Sequence, residues 1–224
     1  NLKSPFGNAV NTYACPYAQA MPYTAPASID FAALGVKVDS PVVYFGKGRE
    51  TTLKNLVAYG KTLGKSRKAV ERAFNAAMEA QESFYRKISE IGFDFLANLK
   101  SDEQGMVIIG RPYNSLDPGM NLNIHKKLMD LGVKPIPMDM LPLGKEIDTD
   151  EILDNMYWGY GQKILRAAKL VKKHKNLYAV YITNFGCGPD SFITHFFKRA
   201  IGNRPFLQLE IDEHSADAGA VTRL

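Results

Sequence analysis

The sequence contains 224 residues, of which 46% are hydrophobic and 23% are charged. That apolar content is enough for a sizeable core in one or two domains, and it excludes the disordered and fibrous classes. Twenty-eight Lys and Arg residues stand against 23 Asp and Glu residues, which gives a net charge of +5. So mild an excess does not indicate a nucleic-acid-binding protein.

The sequence carries no membrane or secretion signal that we can identify. No stretch of about 18 residues is free of charged and polar interruptions, and residues 1–5 lack the apolar run of a signal peptide. We therefore expect a soluble, cytoplasmic protein that makes no membrane contact. Because the chain starts at Asn1 and stops soon after an expected helix start, we also expect it to be a piece of a longer protein.

The first hundred residues change from loop-like to helical composition. Residues 1 to about 40 are rich in Pro, Gly, Ser, Asn and Ala, which predicts ordered irregular structure around short helices or strands. The apolar run at residues 41–45 predicts a short strand. Apolar residues then recur every three or four positions from 50 to 99, which predicts two helices broken near 60–64. We predict a loop-rich and helical region over residues 1–104.

From residue 105 onward, apolar strands alternate with helices. The predicted strands are 106–110, 133–138, 178–183 and 206–211. The predicted helices are 121–131, 150–157, 160–173 and 191–201, with a loop at 111–119 and a tight turn at 186–190. Because parallel neighbours need a helical crossover, this alternation predicts an α/β domain over residues 105–224. We expect a doubly wound parallel sheet of about four strands, flavodoxin-like or Rossmann-like.

The loops after the strands are the expected ligand-facing segments, since such sheets bind ligands beyond the carboxyl ends of their strands. Arg111, Tyr113 and Asn114 follow the first predicted strand, and Glu213 and His214 follow the fourth. Glu213 and His214 could act as acid, base or ligand. The alternative is that residues 212–217 cap the next helix and pair with basic groups.

Cys187 lies in the loop after the third predicted strand, between Gly186 and Gly188. Flanking glycines let the backbone approach an object closely, and the following helix start favours the thiolate, which binds metals or attacks electrophiles. The alternative is a structural cysteine in a turn whose glycines only allow the bend.

Cys15 is the other cysteine, and it precedes Pro16. A proline after a cysteine is found in cluster-binding loops, where it keeps the backbone rigid. The alternative is an ordinary loop thiol. Two cysteines alone complete neither a four-thiolate metal site nor the disulfide framework of a small secreted protein.

Two further segments suggest phosphate binding. Residues 163–175 carry six basic residues and no acid, for which a solvated helix face is the default interpretation and a phosphate-rich ligand or acidic partner the alternative. Residues 46–52 lack the full phosphate-loop pattern, so we reject a nucleotide triphosphate site there.

Four segments together resemble the CoA-substrate-specific enzyme activase-related family, whose members are similar to the iron–sulfur component of 2-hydroxyacyl-CoA dehydratases. These segments are residues 14–17, 109–114, 184–192 and 212–219. The resemblance implies a [4Fe–4S] cluster bound by thiolates between α/β subdomains and reduced by an ATP-hydrolysing activator module, on the same or a separate chain. It makes Cys15 and Cys187 candidate metal ligands. It also implies cofactor-binding roles for Gly186, Gly188, Arg111, Tyr113, Asn114, Glu213 and His214.

The function implied by this resemblance is the relay of low-potential electrons toward a CoA thioester or a similar acceptor. Dehydratase components usually supply three cysteines per cluster, whereas this chain has two. A further ligand would come from outside the chain, from another subunit in an oligomer, or from Glu213 or His214; the remaining alternative is that the chain holds no cluster. The alternative function is a non-catalytic module that docks an ATPase activator onto its target enzyme. In either case we expect the fragment alone to be inactive.

Overall fold

The computed structural model describes residues 14–144, 147, 156–184, 186–212, 215, 219 and 222. The chain divides into two compact units, residues 1–86 and 87–224. A long helix, α3, contributes to both units. Within the described ranges, no helix combines the length and apolarity that a bilayer span requires.

The first unit is helical. Its elements are α1 (Pro16–Ser28), a turn of 3₁₀ helix (Phe45–Lys47), α2 (Arg49–Thr62) and the first part of α3 (Arg67–Asn98). The predicted pair of helices with a break between them is confirmed. The strand predicted at residues 41–45 is wrong, because an apolar run forms a strand only where a neighbouring strand pairs with its backbone. Here the Tyr44 carbonyl accepts a hydrogen bond from the Thr52 hydroxyl instead.

A close approach of α2 and α3 depends on Gly60. A Cβ atom at this position would overlap the side chain of Val70 on α3. The turn between the helices contains Gly64 at a φ of +68°, in the left-handed region that favours glycine. Leu53 and Phe74 are buried in this hairpin.

The second unit contains a four-stranded parallel sheet. Its strands are β1 (Gly105–Ile109), β2 (Lys134–Pro137), β3 (Leu177–Thr183) and β4 (Phe206–Glu210), in the order β2-β1-β3-β4. Val107 of β1 lies opposite Ile136 of β2 and Ala179 of β3. β2 tolerates Pro135 and Pro137 because it is an edge strand. On the outer side of an edge strand no neighbouring strand needs the backbone N–H that proline lacks.

Helices cover both faces of this sheet. They are α4 (Pro112–Leu116), α5 (Ile124–Asp130), α6 (Gly159–Lys173) and α7 (Gly188–Ile201). α6 and α7 pack over Val107 and Ile109, whereas α5 packs over Ile108 and Val180 on the opposite face. The predicted doubly wound parallel α/β fold is therefore confirmed.

Some local predictions differ from the structure. The loop predicted at 111–119 contains the short helix α4, which Pro112 can begin because the first helical N–H needs no partner. The turn predicted at 186–190 overlaps α7, which begins at Gly188. Pro189 fits in the first turn of this helix because the N–H groups there have no partner within the helix. The helix predicted at 150–157 lies mostly outside the described residues.

Candidate functional site

The candidate site lies at the carboxyl ends of β1 and β3, the two central strands. The chain leaves β1 toward β2 on one side and leaves β3 toward β4 on the other. Parallel α/β sheets bind ligands where the strand order reverses in this way. Arg111 follows β1 and Asn184 follows β3, so both residues stand at this switch point.

Arg111 is the centre of a polar cluster. Its Nη2 atom donates to Asn184 Oδ1 and to Asp190 Oδ2, each at 2.6 Å, and Nη1 donates to the Tyr113 hydroxyl at 2.6 Å. Arg111 is only 8% exposed and Asp190 only 2%. The cluster is therefore a buried ion pair with a half-exposed tyrosine at its edge.

Asn184 connects three of the loops around the switch point. Its backbone N–H donates to Asp190 Oδ2, and its Nδ2 donates to the carbonyl of Ile211 after β4, both at 3.0 Å. Asn114 Nδ2 donates to Asn184 Oδ1 at 2.6 Å. These bonds fix the positions of the loops after β1, β3 and β4 relative to one another.

Burial dominates the acid–base behaviour of this cluster. It raises the pKa of Asp190 above the usual carboxyl range, although hydrogen bonds from Asn184, Arg111 and Cys187 act in the opposite direction. Burial lowers the pKa of Arg111, but Asp190, Tyr113 and Cys187 together outweigh this effect, so the net change in its pKa is a rise. Burial also raises the pKa of Tyr181, on the adjacent strand. Arg111 therefore stays charged.

Cys187 precedes the first residue of α7 and is half-buried. Its side chain hydrogen-bonds to the Asp190 carboxyl group, and its carbonyl accepts the Ser191 N–H at 2.9 Å. Gly186 has a φ of +68°, and Cβ atoms built on Gly186 and Gly188 would meet no described atom within 4 Å. The thiol thus lies at a helix N-terminus, near both the Arg111 guanidinium and the Asp190 carboxylate.

The structure brings together the predicted site residues of the second unit. These are Arg111, Tyr113, Asn114, Gly186, Cys187 and Gly188. Cys15 belongs to the first unit, where it is half-buried and precedes α1. Glu213 and His214 lie outside the described residues. Among the described side chains, no group of three or more His, Cys, Asp or Glu residues could hold a metal ion.

Sequence reasoning missed Asn184 and Asp190 as site residues. Both were visible in the sequence, three positions before and three positions after Cys187. Their roles depend on Arg111, which is more than 70 residues away. The pattern that could have indicated them is a polar residue directly after a strand, here Asn184, followed by an acid in the first turn of the next helix, here Asp190.

The basic segment at residues 163–175 is not a uniform solvated face. Lys163 forms a 2.9 Å ion pair with Asp139 in which both side chains are nearly buried. Arg166 is buried, whereas Lys172 and Lys173 are exposed. Asp139 lies just after β2 and neutralises Lys163. The sequence pattern alone predicts that this lysine faces solvent.

Comparison with known proteins gives one family. The family model described as the CoA enzyme activase uncharacterised domain matches residues 1–141. The matched range includes Cys15 and the Arg111 side of the switch point, and it ends before Asn184 and Cys187. No curated protein and no solved structure matches the chain.

Proposed function

The chain belongs to the CoA enzyme activase uncharacterised-domain family, whose model covers more than half of it, and on that premise we propose that it is an iron–sulfur redox domain. The domain relays low-potential electrons toward a CoA thioester or a similar acceptor. The observation that carries this proposal is the position of Cys187, at a helix N-terminus, beside Arg111 and at the switch point of the sheet.

Cys187 suits the role of a cluster thiolate. The start of α7 and the Arg111 guanidinium both favour negative charge on its sulfur, whereas the Asp190 carboxylate opposes it. The positions flanking it are glycines with open space at their Cβ positions among the described residues. Glycines at these positions let the backbone approach a bulky inorganic group closely.

The donor set of this chain is nonetheless incomplete. A [4Fe–4S] cluster is held by three or four cysteine thiolates, whereas the chain has two cysteines, Cys15 and Cys187. The chain therefore supplies some of the thiolate ligands of a cluster but not all of them. We propose that the remaining ligands come from outside these 224 residues or from Glu213 or His214.

The residues around Cys187 hold the thiol in place and set the charge near it. A bound cluster supplies one-electron transfer. Asn184 accepts the Cys187 N–H at its carbonyl, at 3.2 Å, and so fixes the loop that carries the thiol. Arg111 offsets negative charge at the site, and Asp190 keeps Arg111 oriented through their 2.6 Å ion pair. Such outer groups tune the potential of iron–sulfur sites.

The partners in this proposal follow from the family. An enzyme partner is expected for a domain of the CoA enzyme activase type. We propose that an ATP-hydrolysing activator module supplies the electrons and that a CoA thioester enzyme receives them.

Anaerobic reconstitution of the full chain tests the proposal. The chain is incubated with iron, sulfide and a small thiol that can complete the coordination, and iron and sulfide are then measured. We expect a coloured protein with both elements bound and an electron paramagnetic resonance signal after reduction. Cys187→Ser should lose most of the iron.

The control is Ser101→Ala, which changes an exposed hydroxyl in the turn before β1 and leaves both thiols in place. It should bind iron like the unaltered chain. A colourless chain without iron, or equal iron in Cys187→Ser, would contradict the proposal. A colourless chain that still binds an activator ATPase would favour the docking function instead.

A further inference from the structure

Positive charge is concentrated where α6 and α7 end, near the amino ends of the strands. From residue 159 to residue 209 the chain contains nine Lys and Arg residues and one acid, Asp190. Asp190 is buried and pairs with Arg111 at the carboxyl ends of the strands, away from this charge. Five exposed cations lie in or just after the last turns of the two helices. We call them the basic patch: Lys172, Lys173, Lys175, Lys198 and Arg199.

Contacts between α6 and α7 bring the two parts of the basic patch together. The two helices pack against each other, and a Cβ atom on Gly202, just after α7, would stand 3.2 Å from Lys172 Nζ on α6. Arg204 then joins the loops that follow the helices. Its Nη2 atom donates to the carbonyls of His174 at 3.1 Å and Leu177 at 2.9 Å. The basic patch is therefore one surface formed by both helix ends.

The helix dipole explains only part of this charge. A cation in the last turn of a helix is favoured by the dipole, which accounts for the cations inside α6 and α7. Lys175 and Arg204 lie beyond the helices, and neither forms an ion pair with an acid in the described part of the chain. Protein surfaces normally mix charges of both signs, as residues 100–103 before β1 do with one base and two acids. The basic patch has a single sign, so its complement is a negatively charged surface.

We propose that the basic patch docks an acidic surface of a partner protein. A field of one sign steers the encounter with an oppositely charged partner and orients it. Four of the five exposed cations are lysines, whose strongly hydrated ammonium groups suit reversible contact better than bidentate binding of a phosphate. The patch lies at the opposite edge of the sheet from Arg111 and Cys187, so a partner bound there leaves the candidate site open. This inference does not rest on the proposed iron–sulfur function.

Nucleic acids and membranes fit this surface less well. Single-stranded nucleic acids stack their bases on aromatic rings, whereas the ring of Tyr178 at the start of β3 is already covered by Arg204, with Cζ 4.5 Å from its centroid. Anionic membranes bind surfaces that combine cations with exposed apolar side chains. Among the described residues from 159 to 212, the one large apolar side chain that stands exposed is Phe192, in the first turns of α7 and far from its C-terminus. The patch is thus charged without being apolar.

Binding of an acidic probe to the full chain tests the proposal. The probe is a fluorescently labelled, N-acetylated oligoglutamate peptide, and fluorescence anisotropy gives its dissociation constant at low and at physiological salt. We expect binding that weakens as the salt concentration rises, because exposed charges are screened. Replacing Lys172, Lys173 and Lys175 together with glutamate should raise the dissociation constant by at least about tenfold. The milder set Lys172→Gln, Lys173→Gln and Lys175→Gln should act in the same direction.

The matched control reverses three exposed lysines of the first unit, Lys61, Lys65 and Lys68, and so changes the net charge by the same amount. It should bind the peptide nearly as tightly as the unaltered chain. Equal losses in the two charge-reversed variants, or no loss in the patch variant, would overturn the proposal. So would tighter binding of a single-stranded oligonucleotide of equal charge, or of phosphatidylserine vesicles, than of the peptide. Circular dichroism confirms that each variant retains its helices.

Zero-length cross-linking locates the contact on the unaltered chain. A carbodiimide joins a peptide carboxylate to a lysine amine that touches it, with loss of water, and the acetylated peptide offers no amine of its own. Mass spectrometry should find the cross-links concentrated at the four lysines of the basic patch. Cross-links spread evenly over the exposed lysines of both units would overturn the proposal.

Discussion

Arg111 joins the ends of β1 and β3 through hydrogen bonds that span 73 and 79 residues of sequence. The ion pair with Asp190 is buried, so it stabilises the folded state only when both partners are present. Removing one partner leaves the other charge buried without a counter-charge. The same pair supports the loop that carries Cys187.

Substitution of Arg111 should destabilise the second unit strongly. We expect Arg111→Ala to lower the free energy of unfolding by about 3 kcal/mol, because the buried Asp190 carboxylate loses its counter-charge. Urea denaturation followed by circular dichroism measures this change. Arg199→Ala, which removes an exposed cation from the last turn of α7, is the control and should change little. Equal stability of the two variants would show that the ion pair contributes nothing.

Among the elements, α3 is notable for its C-terminal part, which belongs to the second unit and packs against the core of that unit. Gly92 lies against the backbone of Met140, just after β2, and Phe95 and Leu96 pack on the larger core cluster. The helix ends only after these contacts. The last turns of α3 therefore contribute apolar side chains to the core around the sheet.

Gly92→Ala tests this packing. Alanine normally stabilises a helix interior by about 1 kcal/mol relative to glycine. At position 92, however, the added methyl group would overlap the Met140 carbonyl oxygen, so we expect a loss of about 3 kcal/mol. Thermal unfolding gives the comparison, with the exposed Ala97→Ser on the same helix as control. A stabilised Gly92→Ala variant would disprove the close contact.

An exposed ion pair links the segment before β1 to the start of β2. Lys134 Nζ lies 2.8 Å from Glu103 Oε2, and the Lys100 N–H donates to the same oxygen. The hydrogen bond from Lys134, followed by that from Lys100, lowers the pKa of Glu103 below its usual value of 4.5. A lowered carboxyl pKa adds stability above the unfolded-state value, and this stability is lost as the pH falls through the folded-state value.

Glu103→Gln should therefore be slightly less stable than the unaltered chain at neutral pH. The difference should shrink as the pH falls through the carboxyl range and should also shrink in high salt, since the pair is exposed to solvent. Urea midpoints at pH 7 and at acidic pH measure it. Glu79→Gln, at an exposed site on α3, serves as control. A difference that grows toward acidic pH would contradict the direction of the pKa shift.

At the scale of the whole molecule, burial is distributed very unevenly. β3 is almost entirely buried between β1 and β4, and α6 is buried along most of its length. α1 has no buried residue. Local opening requires least free energy where few apolar contacts must be broken.

Hydrogen exchange should follow this distribution. We expect the amides of β3 to exchange slowest and those of α1 fastest. α6 is the internal control, because it is a helix of similar length with a buried face. Mass spectrometry of peptides resolves the three segments. Protection of α1 equal to that of α6 would contradict the absence of buried residues in α1.

Much of the fold could be predicted from the sequence because periodicity reports burial directly. Apolar residues every three or four positions predicted α2, α3 and α6, and the continuous apolar runs predicted β1 and β3. The same reasoning failed at residues 41–45, where an apolar run has no strand beside it to complete its backbone hydrogen bonds. A local pattern carries no information about such a neighbour.

The candidate site was only partly predictable for a related reason. Cys187 and Arg111 could be selected because chemistry-bearing residues at strand ends face ligands in this type of sheet. By itself the sequence determined the alternation of strands and helices after residue 105, the parallel sheet, and these two residues as candidates for the site. Only the tertiary structure decided that Asn184 and Asp190 pair with Arg111, and that Lys163 turns inward to Asp139. Those contacts depend on which strands and helices become neighbours, which is set by packing across the whole domain and not by any local pattern.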